Sequence, residues 1–128
     1  MAITFKKTPD YVLFIATGII EPGDLVSALE TCWREHESPL ALWDATAASV
    51  SGLGADSFQD IILAGRQFTE RRGLAPRTAI AARNEADATL LKAFVGQASL
   101  QSPIFFGIFL NLGEAKGWLL SPPEQQDR

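Results

Sequence analysis

Three observations predict an α/β domain built on a mostly parallel sheet. Short β-rich apolar runs alternate along the chain with stretches of helical period, proline or glycine punctuates most junctions, and the strongest strands are apolar on both faces. The predicted order is β-β-α-β-α-β-α-β-α: a single-domain sandwich, five strands with helices on both faces, over residues 1–120, with 121–128 as a frayed tail. A chain of 128 residues with 47% apolar and 20% charged side chains fits this. It buries roughly two-thirds of its unfolded surface in one core.

Residues 3–5 form a first short strand, with Lys6 and Lys7 suited to an exposed edge. Thr8-Pro9-Asp10 is turn chemistry. Residues 11–16 (YVLFIA) form a strand expected to be buried on both faces. Pro22-Gly23-Asp24 opens a helix to His36, with Leu25, Leu29 and Cys32 on one stripe, and Ser38-Pro39 ends it. The third strand is read as 40–43, stopping at Asp44. Residues 45–54 carry no charge and are read as a loop folded back on the domain or lining a shallow pocket. Asp56, with Gln59 three residues on, is expected to cap a helix that runs to Arg72, and Gly73 to end it.

Residues 77–82 (RTAIAA) give the fourth strand and 85–99 the third helix, burying Leu91, Phe94, Val95 and Ala98. Residues 104–110 (IFFGIFL) give the fifth strand, again apolar on both faces, and Asn111 caps a last helix holding Ala115, Trp118 and Leu119. A long apolar edge associates unless covered, so a homodimer is an expectation.

Several function classes are disfavoured. A net charge of −4 argues against a nucleic-acid partner, and no apolar run reaches the ~20 residues of a membrane span. His36 is the single histidine, so no His-His or His-Cys metal pair exists; it is read as a helix C-cap. No metal or cofactor is expected, and one histidine, one cysteine and no paired carboxylates leave an enzyme the weakest reading. Cys32 cannot form an intrachain disulfide and lies on a core stripe, and the N-terminus lacks a signal-peptide pattern; a cytoplasmic protein is the expectation. Arg66, Arg71, Arg72 and Arg77 are read as helix-dipole complement and solubility before a basic patch for an acidic partner.

In an open α/β sheet, ligands and partners dock beyond the carboxyl ends of the strands. The candidate site is therefore Asp44, Ser49, Ser51, Leu53, Asp56 and Ser57. Asp44 is either a site carboxylate or a structural one holding loop amides. Ser51 and Ser57 are candidates for phosphorylation at a helix N-terminus, against a simpler role in loop and cap hydrogen bonding.

Three strings in order add a resemblance: Leu42-Trp43-Asp44 at a strand end, Thr78-Ala79-Ile80-Ala81-Ala82 in the fourth strand, and Glu114-Ala115-Lys116-Gly117-Trp118-Leu119 in the last helix. Together they resemble the SpoIIAA-like (STAS/SEC14-like) family of small bacterial α/β domains, over nearly the whole chain. The resemblance implies that fold rather than a reaction. Antagonists of this kind carry a phosphorylatable serine in an acid-Ser-x-Gly-Leu string; the comparable residues here are Val50-Ser51-Gly52-Leu53-Gly54, with valine in place of the acid. The leading expectation is a non-enzymatic module that engages a protein partner through the loop after the third strand. The alternative is a carrier or sensor for a small apolar ligand or lipid held beside that loop.

Overall fold

Five strands pair in the order in which they occur along the chain. β1 (Ile3–Lys7) is antiparallel to β2 (Val12–Ile19), and β3 (Leu40–Ser49), β4 (Arg77–Ala82) and β5 (Phe105–Phe109) follow in parallel. The computed structural model describes residues 2–121; the expected tail beyond them, 122–128, lies outside the described residues.

Three parallel crossovers join adjacent strands in chain order, and crossovers of one hand put their helices on one face of the sheet. α1 (Pro22–Glu35) packs on α2 (Ala55–Arg66), and α2 packs on α4 (Glu85–Ala98). Among the described residues α5 (Leu112–Leu120) alone covers the other face, over β3, β4 and β5. A helix is about 10 Å across and strands are ~4.8 Å apart, so one helix shields two or three strands. The expected double burial of the second strand is therefore wrong. β2 alternates instead: Val12, Phe14 and Ala16 are buried beneath α1, while Ile15 and Ile19 are exposed on the bare outer face. β5 is an edge strand, and its residues are exposed or half-buried rather than covered on both faces.

Each face has its own core. Between the sheet and the helix layer, Phe14 stacks on Trp43 with ring centroids 4.1 Å apart and also meets Trp33 and Phe5. Under α5, Leu42, Ala79 and Ala81 of the strands meet Ala115 and Leu119. Alanines on β4 let α5 lie close, and Gly107 of β5 serves the same end. A Cβ there would stand 2.8 Å from the Phe109 ring and 3.1 Å from Trp118.

Two helix expectations need correction. α2 stops at Arg66, and a separate short helix, α3 (Thr69–Arg72), follows. Gly73, at φ 72, ends it in the left-handed region that glycine reaches without a Cβ penalty. The N-cap of α2 is Gly54, not Asp56. The Ser57 hydroxyl accepts from the Gly54 N–H at 3.1 Å and donates to the Gly54 carbonyl at 2.8 Å. Gln59 takes no part in that cap: its side-chain amide exchanges two hydrogen bonds with Gln101 and accepts one from Gln97, tying α2 to the end of α4. In the third helix Leu91 and Ala98 are buried as expected, while Phe94 and Val95 are half-buried.

Candidate functional site

The expected loop after Trp43 is mostly strand. β3 continues to Ser49 through a bulge: Ile15 pairs with Asp44 and Thr17 with Ala47, so three steps on β3 face two on β2. The extra residue shifts the parity of burial, and the inward alanines are Ala45 and Ala48, three apart rather than two. Asp44 thus lies within the strand, not at its carboxyl end. It shares the α5 face with Leu42, and its Oδ1 accepts from the Thr46 N–H at 3.1 Å and the Thr46 hydroxyl at 2.6 Å. Those bonds fasten the bulge, as the structural reading of Asp44 requires.

Residues 50–54 alone connect β3 to α2. Leu53 N–H closes a turn on the Val50 carbonyl, and the Val50 N–H donates to Asp87 Oδ2 at 3.4 Å. Asp87 is buried in the first turn of α4 and is ion-paired with Arg83. Ser49 and Ser51 lie with their hydroxyl oxygens 2.8 Å apart; Ser51 is exposed, and Asp56 is exposed on the first turn of α2. Ser57 is committed to the cap. The six candidate residues therefore divide. Ser49, Ser51, Leu53, Asp56 and Ser57 gather at the carboxyl end of β3, while Asp44 lies five residues before that end, on the face that α5 covers.

Leu53 leads to what the sequence reading missed. Its side chain, 7% exposed, lines an apolar cavity of about 120 Å³ between the sheet and the helix layer. Val50 and Ile20 share that end, Trp43 and Ile80 form the sheet-side wall, and Trp33, Ile61, Leu91 and Phe94 the helix side. The cavity runs along the parallel strands to Thr78 and Arg72 near their amino ends. Among its lining residues two are cations, Arg66 and Arg72, and none is acidic.

Arg72 was expected on a solvated last turn. It is instead 4% exposed. Nε donates to the Ser38 carbonyl, and Nη2 reaches the carbonyls of Pro39 and Arg77 and the Thr78 hydroxyl, at 3.0 to 3.3 Å. The guanidinium carbon sits 4.6 Å from the centre of the Trp33 ring. Burial pushes its pKa down to about 10, which leaves it charged at neutral pH. Arg71, its neighbour, stays at the surface and bonds the Arg34 carbonyl and Glu37.

Cys32 is fully enclosed beside this arginine. Burial pushes its thiol up from 9.0 to about 12, against the Arg72 charge, which pulls it down. The protonated thiol is thus favoured by folding. That contribution is complete below pH 9.0 and is lost as the pH rises through about 12. Iodoacetamide at about pH 8 is expected to label Cys32 only after denaturation, because the thiolate is the nucleophile. Rapid labelling of the native chain, followed by mass spectrometry, would show that the thiol is open.

No protein-family model matches the chain, and no curated protein matches it. Among solved structures, it is similar to an uncharacterized protein from the DUF3478 family with a SpoIIAA-like fold, from Shewanella loihica PV-4. The TM-score is 0.57 and the identity 24%, over 92% of each chain. The protein has a SpoIIAA-like fold.

Proposed function

We propose that the protein is a non-enzymatic carrier or sensor for a small apolar ligand, held between the sheet and the helices α1, α2 and α4. The observation that carries this reading is the cavity itself. Its lining is almost wholly aliphatic and aromatic, and at about 120 Å³ it approaches the ~150 Å³ of an engineered apolar cavity that stays dry and takes up benzene. At ~24 cal/mol per Å³ of void, a space of 120 Å³ left unfilled amounts to about 3 kcal/mol of lost packing. For a domain whose whole stability is about 5–15 kcal/mol, that is a large concession, and a seated apolar molecule would offset it.

A second reading, the partner module, keeps one specific support. Val50 and Leu53 line the cavity, and between them Ser51 is exposed beside Ser49. A partner that contacts this turn would sense what lies behind it.

Native mass spectrometry of protein purified from its own host without denaturation tests both. A co-purifying apolar molecule is the expected result. A bare chain bearing an added phosphate that Ser51→Ala removes would transfer the proposal to a phosphorylation-controlled partner module. A bare, unmodified chain that takes up no apolar molecule on titration would overturn the carrier reading.

A further inference from the structure

The chemistry at one end of the cavity departs from the rest. Arg72 is a buried guanidinium that no carboxylate among the described residues pairs with; the ion pairs there are Arg71–Glu37 and Arg83–Asp87. An isolated cation in an apolar interior is costly unless it is neutralised or fully hydrogen-bonded. Backbone carbonyls satisfy Nε and Nη2, but Nη1 donates to none of the described residues. Thr78, which also lines the cavity, accepts from Nη2, and its own hydroxyl proton has no acceptor among them. Arg72 and Thr78 thus bring two donors and one positive charge to the end of an apolar channel that no acidic residue among the described residues lines. No side-chain nitrogen or oxygen there is both buried and unpartnered, so Nη1 keeps accessible surface.

We propose that the ligand is a monoanionic amphiphile: a carboxylate head paired with Arg72 Nη1 and the Thr78 hydroxyl, and an unbranched apolar tail running towards Leu53. This rests on the carrier reading and specifies its ligand. The single charge follows from Arg72 being the single buried cation among the described residues. The second charge of a phosphomonoester head would be left without a buried partner, since Arg66 is at the surface. The head belongs at the amino ends of the strands because Arg72 is fixed there by the carbonyls of Ser38, Pro39 and Arg77. The tail belongs at the other end because Val50, Leu53 and Ile20 present only carbon to it.

The test compares hexanoate, 1-hexanol and methyl hexanoate, whose chains match the cavity in size, by isothermal titration calorimetry on the whole chain at neutral pH. A charge-assisted hydrogen bond at a buried site is worth enough for a roughly ten-fold or greater preference for hexanoate over both neutral analogues. Arg72→Gln is expected to remove that preference and leave 1-hexanol binding within about two-fold, whereas a purely structural arginine would lower both affinities together. If Arg72→Gln does not fold, the ester comparison on the unmodified chain still decides. Equal affinity for the three ligands would overturn the anionic head and leave the carrier reading standing. Binding of none would overturn the carrier reading and this inference with it.

Discussion

Gly65→Leu should close the cavity and stabilise the protein at once. Gly65 lies in the penultimate position of α2 and lines the cavity, and a Cβ added there meets no atom within 4 Å. A glycine inside a helix costs about 0.5–1 kcal/mol relative to alanine, and leucine is nearly as good a helix former. The added side chain also buries apolar surface in space that is otherwise unfilled. The expected gain is about 1 kcal/mol, read from the urea midpoint at unchanged slope. The leucine would take the volume that several ligand methylenes need, at ~0.8 kcal/mol each, so 1-hexanol affinity should fall by roughly 100-fold. A variant that is more stable but binds as before would place the ligand elsewhere.

Phe14→Ala is expected to give the largest loss of stability, about 3–5 kcal/mol. Phe14 is completely buried, stacked nearly parallel on Trp43 at 2° and in contact with Trp33 at 5.9 Å. Both tryptophans line the cavity, so the truncated site would merge with space already present and could not collapse to heal the void. Their fluorescence should also shift towards that of water-exposed indole. A loss below about 1 kcal/mol would mean that the aromatic cluster repacks, contrary to the tight register that β2 and β3 impose on it.

What could be read in the sequence followed from strong local signals. RTAIAA is strand over the residues expected, and Asn111 caps the last helix through its Oδ1 on the Glu114 N–H at 3.0 Å. Cys32 lies in the core because its stripe repeats at helical period. The candidate site was legible only in part. The turn holding Ser51 and Leu53 is where the strand rule puts a site, but Asp44 was misplaced because the bulge breaks the period of two and Ala-Thr-Ala-Ala carries little strand propensity. Arg72 was misread because its burial depends on carbonyls of Ser38 and Pro39, more than thirty residues away in sequence. From local sequence alone it is one of two arginines before a glycine, where the helix dipole is the natural explanation. A cavity is a sum over facing layers, and no single stretch reports it. The small residues Ala45, Gly65 and Ala98 on three different elements were the available hint.

The most direct measurement is a set of intermolecular nuclear Overhauser effects between 1-hexanol and the isotope-labelled protein. The expected result is contacts from the alcohol's methylene protons to Leu53, Ile80 and Leu91, the last two on opposite walls of one cavity. Contacts confined to the surface leucines Leu74 and Leu100, with the cavity residues silent, would contradict a ligand held between the sheet and its helices.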